Sequence, residues 1–274
     1  MEVQQMKFGY CVNMLSLPGS DGSGKEWIST IGRLGFDYVE LPMAQMMTYS
    51  DEDFERFFLK PLQESGLECH CSNNFFPASI RITGPDADHQ AMLAYAEKAM
   101  TRAERLGAKK IVFGSSGARN YPAGFPRVQA VAQFHQALQL LEPMAEKHGA
   151  TLVMEHLNKL ESNLLNSLHE GVELVNEVLL PHVRCLLDNY HMMLAGGDVS
   201  HISEARGLLR HVHLARVLGR SLPCEGDEVD WKALFAALKE IGYDEDCSIE
   251  AYVPVEKREE RIAESLRFLR SAAG

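Results

Sequence analysis

Four short segments in the second half of the sequence each end in a side chain that can bind a metal ion. A carboxylate that follows apolar residues at the end of a buried strand is costly unless a cation or hydrogen bonds compensate its charge. Three carboxylates meeting one imidazole would repel each other unless a metal ion lay between them. We therefore predict that the four side chains bind one divalent cation. The segments read TLVME, CLLD, HVH and SIE, and they end at Glu155, Asp188, His213 and Glu250.

The composition of this ligand set indicates the kind of metal. Three carboxylates and one imidazole form a hard site made mostly of oxygen, which suits Mn2+, Co2+ or Mg2+ better than a thiolate-rich zinc site would. We expect Mn2+, with Co2+ and Mg2+ as alternatives. A simpler explanation is that each carboxylate caps a helix and each histidine is a hydrogen-bonded core residue. Four such residues on four consecutive strands favour the metal site.

The ligands can meet only if the chain brings the ends of these strands together. Short β-rich runs alternate with helical segments along the whole sequence, which is typical of βα units around a parallel sheet. In a (β/α)8 barrel the C-terminal ends of the strands open on one face, where catalytic groups lie. The pattern predicts eight strands, at residues 7–14, 37–42, 67–73, 109–115, 151–157, 183–189, 210–216 and 247–253.

Glycines recur where predicted helices end just before strands. A left-handed glycine stops a helix and turns the chain toward the next strand. A doubly wound open sheet would use the same stops, but the count of eight strands and the absence of GxGxxG after the first strand favour the barrel. Without a linker or low-complexity stretch, we expect one TIM-barrel domain over residues 1–274. The junctions are Leu34-Gly35, Ser65-Gly66, Leu106-Gly107, His148-Gly149 and Ile241-Gly242.

Composition narrows the class of protein. The formal net charge of -11 opposes binding to a dense row of phosphates, so we expect no nucleic-acid partner. The first residues lack the charged-then-apolar order of a signal peptide, and no apolar run reaches the roughly 18 residues of a membrane span. We expect a cytoplasmic enzyme with a small-molecule substrate and no membrane partner.

The six cysteines do not form the framework of a small disulfide-rich protein, and we expect them to be reduced. The triplet Cys69-His70-Cys71 offers an alternative zinc site. However, strand alternation would point His70 away from both cysteines, and no second cysteine pair follows. Packing is therefore the favoured role of these cysteines.

Further polar residues follow the predicted ligands. Glu161 lies on the loop after the strand that ends at Glu155, and His191 lies three residues beyond Asp188. His191 is placed to donate a hydrogen bond to a substrate oxygen, and Arg220 to neutralise negative charge over the mouth of the barrel. The run Gly114-Ser115-Ser116-Gly117 with Arg119 could form an anion site for a phosphorylated sugar, although such runs are more often simple turns.

Together these residues resemble a known family. The second half of the chain is similar to the xylose isomerase-like TIM barrels, and most closely to the ketose 3-epimerases typified by D-tagatose 3-epimerase and D-psicose 3-epimerase. As motif, the resemblance covers about residues 150 to 255. The matching elements are an ExxNxxE run at Glu155, Asn158 and Glu161, a DxxHM run from Asp188 to Met192, the HxH pair His211 and His213, Arg220 with Pro223 in the following turn, and Glu250.

The resemblance implies roles for these residues. Glu155 and Glu250 would bind the metal ion and also serve as the catalytic acid/base pair. One glutamate would remove a proton beside the ketose carbonyl and the other would return a proton to the opposite face, through an enediolate. Glu161, His191 and Arg220 would bind the substrate oxygens. The family also implies a homodimer or homotetramer.

Several alternatives remain open on the same metal site. They are an aldose-ketose isomerase such as hydroxypyruvate isomerase, an inosose-type dehydratase, and a sugar-binding barrel without catalysis. First-half residues such as Tyr10, Asn13 and Glu40 form no pattern that indicates one sugar. The related three-zinc endonuclease is disfavoured, because strand four ends in Gly114-Ser115-Ser116 and the segment 225–228 contains no histidine.

Overall fold

The computed structural model describes residues 6–274, which form a closed barrel of eight parallel strands. Each strand pairs with its neighbours in sequence, and the eighth strand pairs with the first to close the sheet. The predicted fold class, a (β/α)8 TIM barrel, is confirmed. The strands are β1 Lys7–Cys11, β2 Tyr38–Pro42, β3 Glu68–Asn73, β4 Lys110–Phe113, β5 Thr151–Glu155, β6 Val183–Asp188, β7 Leu209–Leu214 and β8 Asp246–Ile249.

Helices connect the strands and cover the outside of the barrel. Within residues 6–274, none is long and apolar enough to cross a membrane. A π-helical stretch, Glu55–Leu59, lies between two short α-helices, and short 3-10 helices lie at Val12–Leu15, Lys25–Trp27, Val199–Ala205 and Leu218–Arg220. The α-helices are α1 Ile28–Arg33, α2 Met43–Met46, α3 Asp51–Phe54, α4 Lys60–Ser65, α5 His89–Leu106, α6 Ser116–Arg119, α7 Arg127–Lys147, α8 Leu168–Val178, α9 Asn189–Leu194, α10 Trp231–Glu240 and α11 Arg258–Ala273.

The predicted strands coincide with the observed ones at their beginnings more closely than at their ends. β1 was predicted over 7–14 but stops at Cys11, where its pairing with β2 ends and a 3-10 helix begins. β8 was predicted over 247–253 but ends at Ile249, so Glu250 is one residue beyond the strand. The backbone N–H of Glu250 still donates to the carbonyl of Leu214 at 3.0 Å. That bond keeps Glu250 at the rim of the sheet.

The five predicted helix-stop glycines all have the left-handed conformation. Their φ angles lie between 59° at Gly149 and 88° at Gly35. At Gly107, the backbone N–H returns to the carbonyl of Glu104 at 3.0 Å and closes the end of α5. A residue with a Cβ atom would be strained in this conformation, so these positions fix where each helix ends.

The interior of the barrel is apolar on one side and polar on the other. Cys71, Val112, Val153 and Leu186 form a small apolar cluster contributed by four neighbouring strands, β3 to β6. On the side of β2, β7 and β8, the buried interior is polar. Gly9 leaves room there for the ring of Tyr38, with which a Cβ atom on Gly9 would collide. The polar side chains are Tyr38, Glu40, His211 and Ser248.

The cysteines are free, as expected, and all except Cys224 are buried. His70 bonds to acidic residues and not to a cysteine: its Nδ1 lies 3.0 Å from Asp246 Oδ2 and its Nε2 lies 2.6 Å from Glu68 Oε2. The ring of His70 also stacks on Tyr38, with 4.6 Å between ring centroids. The Cys69-His70-Cys71 triplet therefore does not form a zinc site of its own.

Candidate metal centre and active site

The four predicted metal ligands meet at the C-terminal mouth of the barrel. Glu155 ends β5, Asp188 ends β6, His213 lies near the end of β7, and Glu250 follows β8. One ligand atom from each of the four lies within 4.8 Å of the others. All four side chains are buried. The structure thus brings together the whole set that the sequence suggested, from four consecutive strands.

His213 lies at the centre of this group. Its Nδ1 is 3.0 Å from Glu155 Oε1 and 3.1 Å from Glu250 Oε2, and its Nε2 is 3.0 Å from Glu40 Oε1. Burial opposes the charged imidazolium, but the carboxylates of Glu250 and Glu40 outweigh it and raise the pKa of His213 well above its usual value. Nδ1 is the nitrogen that faces the other predicted ligands.

Asp188 uses its two oxygens for different purposes. Oδ1 accepts from the backbone N–H of His191 at 3.1 Å and so caps the N-terminus of α9. Oδ2 faces the mouth of the barrel, 3.2 Å from Arg220 Nη2. Helix capping, the simpler explanation of this carboxylate, is therefore correct for Oδ1, while Oδ2 faces the mouth beside Arg220.

Arg220 lies over the mouth of the barrel, where the sequence placed it. Besides Asp188 it bonds to Glu250 Oε2, and its guanidinium lies 4.9 Å from the ring centroid of Tyr190. Burial disfavours the guanidinium charge, but the nearby carboxylates of Glu250 and Asp188 raise the pKa of Arg220. The arginine thus lies against the carboxylate cluster as its positive neighbour.

Negative charge at this mouth is only partly compensated. Burial, together with the neighbouring charges of Glu250 and Glu155, raises the pKa of Asp188 to about 7 despite Arg220. The pKa of Glu155 is also raised, by burial and by Glu250. Glu250 differs, because Arg220 and His213 outweigh the effect of burial and lower its pKa to about 2. The carboxyl groups of Asp188 and Glu155 are thus harder to ionise than usual. A bound cation would stabilise their charged forms.

His191 is oriented by a neighbouring amide. Its Nδ1 accepts from the backbone N–H of Asn158 at 3.2 Å and from the Asn158 side-chain amide at 2.9 Å. Burial, together with the charge of Arg220, lowers the pKa of His191 to about 2, so its ring is neutral. The proton must then reside on Nε2, which has no hydrogen-bond partner among residues 6–274 and lies 3.7 Å from Asp188 Oδ2. Glu161 joins this network through Oε1, 2.9 Å from the Asn158 amide.

The suggested anion site after β4 is wrong. Arg119 is fully buried, and its Nη1 donates to the carbonyls of Phe113 at 2.9 Å and Glu155 at 2.8 Å. It therefore braces the ends of β4 and β5 and cannot reach a phosphate at the surface. Gly114 has a different importance, because a Cβ atom there would collide with Glu155 Oε2. The absence of a side chain at Gly114 makes room for the Glu155 carboxylate.

Glu40 is a buried acidic residue that the sequence grouped only with first-half residues near the far end of the sugar. It lies in β2, in the run YVELP, and is completely buried. Two further groups with metal-ligand chemistry contain it, one with Cys11 and His213 and one with Cys71 and His211. Burial and the charge of Glu40 raise the pKa of both thiols well above the usual value, which disfavours the thiolate form that binds metal. The four-residue group at the mouth is the better cation site.

The side chains at the mouth fit a hard divalent cation. Three carboxylates and Nδ1 of His213 supply oxygen and imidazole donors, and no thiol belongs to the group. Mn2+, Co2+ and Mg2+ all accept such a donor set.

Comparison with known proteins places the chain in a family. Residues 28–272 match the model of the xylose isomerase-like TIM barrel family, and the chain belongs to that family. The L-ribulose 3-epimerase of Methylomonas sp. is 26% identical over 261 residues, which cover 91% of this chain and 85% of that protein. The D-psicose 3-epimerase of Ruminiclostridium cellulolyticum is 24% identical over 235 residues, covering 84% and 78%.

A solved structure agrees with these relatives in fold. D-allulose 3-epimerase from Methylomonas sp., in complex with D-allulose, superposes with a TM-score of 0.82 at 22% identity and covers 98% of each chain. The family match and the two relatives confirm the predicted resemblance to ketose 3-epimerases. The predicted enzyme class is also confirmed, because these relatives are isomerases that act on carbohydrates.

Proposed function

We propose that this protein is a metal-dependent ketose 3-epimerase, or a close relative of one, that acts on a free sugar. One divalent ion, Mn2+ in the first instance and Co2+ or Mg2+ as alternatives, would be held by Glu155, Asp188, His213 and Glu250. The observation that carries the proposal is the placement of Glu155 and Glu250 within 3.1 Å of the same nitrogen of His213. They come from β5 and β8, on either side of the strands that carry Asp188 and His213.

Two carboxylates in this arrangement suit inversion of a carbon next to a carbonyl. One removes the proton from one face of the carbon, giving an enediolate, and the other returns a proton to the opposite face. A bound divalent ion would supply positive charge to stabilise the negative oxygen that develops in this step. Glu155 and Glu250 are the proposed acid/base pair.

Three further side chains are proposed to bind the substrate oxygens. His191 presents its Nε2–H toward the mouth because Asn158 occupies Nδ1. Arg220 would bind oxygens that carry negative charge, and Glu161, about two-fifths exposed, would accept from a sugar hydroxyl. These donors and an acceptor lie on the segments that follow β5, β6 and β7, so the reacting end of the sugar would lie between those segments and the four ligands.

The test is isotope exchange. Purified protein with Mn2+ and a panel of free ketoses in D2O is expected to give an epimer with deuterium at the inverted carbon, detected by NMR. An absence of exchange and of a new epimer across the panel would reject the proposal. Apo-protein treated with a chelator serves as the control and should be inactive until Mn2+ is added back.

The same experiment distinguishes the alternatives. An aldose-ketose isomerase such as hydroxypyruvate isomerase would produce an aldehyde or its cyclic hemiacetal, and an inosose-type dehydratase would produce a compound lacking one molecule of water. A non-catalytic sugar-binding barrel would bind a sugar without exchange. The pair of carboxylates beside one imidazole favours catalysis, because binding alone does not need an acid/base pair.

Domain organisation, cellular location, partners and assembly are proposed together with the activity. We propose that the chain functions as one domain in the cytoplasm, that its partner is a sugar and neither nucleic acid nor a membrane, and that it assembles as a homodimer or homotetramer. Sedimentation at several protein concentrations tests the assembly.

A further inference from the structure

Glu40 is a carboxylate buried inside the barrel, behind the proposed metal ligands. We propose that Glu40 is a positioning residue that holds His213 with Nε2 protonated and Nδ1 facing the metal site. This inference rests on the proposed metal-binding role of His213, but it does not depend on which sugar is turned over.

The geometry at His213 gives its two nitrogens separate partners. Nε2 is 3.0 Å from Glu40 Oε1, while Nδ1 is 3.0 Å from Glu155 Oε1. A carboxylate can only accept a hydrogen bond, so the proton between His213 and Glu40 belongs to Nε2. With a divalent ion bound in place of the proton on Nδ1, that nitrogen would offer its lone pair to the ion while the Nε2 proton stays with Glu40. Metal-binding histidines commonly donate their second N–H to a carboxylate, which fixes the tautomer and increases the basicity of the ligand nitrogen.

Glu40 is itself firmly held by other buried side chains. Its Oε2 accepts from Ser248 Oγ at 2.6 Å and lies 2.8 Å from His211 Nε2. The hydroxyl of Tyr38 lies 2.8 Å from Ser248 Oγ and extends the network to the floor of the barrel. Each oxygen of the carboxylate therefore has its own donors, and Oε1 is the one left for His213. A side chain fixed in this way can hold a neighbouring ring in one orientation.

A purely structural role of Glu40 would explain the hydrogen bonds of Oε2 to Ser248 and His211. It would not explain the contact of Oε1 with His213. If Glu40 served only to satisfy His211 and Ser248, its removal would lower stability and leave the metal site unchanged. If it positions His213, its removal must also alter metal affinity and the ligand field of the bound ion. Those two measurements separate the roles.

The test uses Glu40→Gln, which keeps the size of the side chain and removes its charge. The Mn2+ dissociation constant is measured from the EPR signal of free Mn2+, and the visible absorption spectrum is recorded with Co2+ bound. We expect Mn2+ binding to weaken by about 10- to 100-fold and the Co2+ bands to shift, because the ligand nitrogen becomes less basic and less well oriented.

Ser248→Ala is the matched control. It removes one buried hydrogen bond to Oε2 but leaves the contact between Oε1 and His213, so it should lower stability while leaving the Mn2+ affinity and the Co2+ spectrum close to those of the wild type. If Glu40→Gln does not fold, Glu40→Asp replaces it, since the shorter side chain keeps the charge but withdraws from His213. Weaker Mn2+ binding is expected there too.

A folded Glu40 variant with wild-type Mn2+ affinity and Co2+ spectrum would overturn the inference, as would a wild-type protein that binds neither ion. No sugar is present in these measurements. Weaker metal binding in the variant would therefore support the positioning role even if no ketose were epimerised. Conversely, ketose epimerisation by the wild type with unchanged metal binding in the variant would reject the positioning role alone.

Discussion

The two ends of the barrel both bury acidic side chains, but the balance of charge differs between them. At the N-terminal end, Asp246 Oδ2 lies 2.7 Å from Lys110 Nζ and 3.0 Å from His70 Nδ1. Burial opposes its charge, yet His70 and Lys110 lower the pKa of Asp246. At the C-terminal end, Asp188 is also buried, but neighbouring Glu250 and Glu155 help burial to raise its pKa to about 7. The same residue type thus shifts in opposite directions.

The difference shows at which end the protein's own side chains balance the buried negative charge. Around Asp246 the cations come from the protein itself, and Glu245 is bonded both to Lys110 at 3.2 Å and to Arg210 at 3.4 Å. Around Asp188 the described side chains supply only Arg220 and a shared His213 to several carboxylates. In TIM barrels the N-terminal face generally serves stability and the C-terminal face serves chemistry. A bound divalent cation would balance the charge at the C-terminal end. Substitutions at the N-terminal end should therefore change stability, and those at the C-terminal end should change metal binding or turnover.

The largest effect is expected for Glu250→Gln at the C-terminal end. Loss of one acid/base group should lower kcat for epimerisation by about 10²- to 10⁴-fold, because proton transfer to or from one face of the carbon is lost. The measurement is the rate of deuterium incorporation into the ketose in D2O. Glu256→Gln, an exposed acidic residue on the same loop, is the control and should retain wild-type turnover. Wild-type turnover by Glu250→Gln would remove Glu250 from the mechanism.

At the opposite end, Lys110→Met should reduce stability and spare the metal site. Removing this buried cation leaves Asp246 with His70 as its remaining partner, and breaking a buried ion pair in this way costs about 3 kcal/mol. Urea unfolding measures the loss, and the Mn2+ dissociation constant should equal that of the wild type. Lys7→Met is the matched control: Lys7 is half exposed and 3.8 Å from Glu68, so the change should cost less than about 0.5 kcal/mol. A Lys110→Met protein as stable as the wild type would refute the argument.

The acidic cluster at the C-terminal end could be predicted from the sequence, because the ends of buried strands can be recognised locally. A charged residue closing an apolar run marks Glu155, Asp188 and Glu250, and a barrel brings such ends to one face. Glu40 gives the same signal, as a carboxylate within YVELP. The proposed role of Glu40 did not follow from this signal, because the ligand pattern lies in the second half of the chain and Glu40 lies in the first half.

Other features could not be predicted, because they depend on contacts between distant parts of the chain. Arg119 lies in a Gly/Ser-rich run that suggested an anion site, and only the folded barrel shows its guanidinium between Phe113 and Glu155. The early end of β8 has a similar cause. Beyond Ile249, the hydroxyl of Tyr10 donates to the carbonyl of Ala251 at 2.8 Å. That carbonyl therefore bonds to a side chain and not to the backbone of a neighbouring strand.

Gly114→Ala should weaken metal binding at the C-terminal end by a moderate factor. The added methyl group would collide with Glu155 Oε2 and displace one carboxylate, so we expect about tenfold weaker Mn2+ binding with little loss of stability. Metal titration followed by EPR measures the effect. Gly171→Ala is the control, since a Cβ atom at Gly171 meets no atom of the described part of the chain within 4 Å. Unchanged Mn2+ binding in Gly114→Ala would show that Glu155 is not held where metal binding needs it.

The smallest effect concerns His70 at the N-terminal end. Burial lowers its pKa, but Asp246 and Glu68 outweigh burial and raise the pKa above the usual value. The folded state therefore binds this proton more tightly than the unfolded chain. The resulting stability is fully present below the unfolded pKa of about 6.5 and is lost as pH rises through the folded pKa. His70→Phe keeps a ring against Tyr38 and removes the titration.

The measurement is the free energy of unfolding by urea at pH 6 and pH 8 for the wild type and His70→Phe. The difference between the two proteins should be larger at pH 6 than at pH 8, by about 1 kcal/mol or less, because the pairs that His70 forms are partly exposed. Mn2+ affinity should be equal in the two proteins at each pH, because His70 lies at the end of the barrel opposite the proposed ligands. A difference in stability that does not change with pH would mean that the bonds of His70 to Asp246 and Glu68 do not depend on its charge.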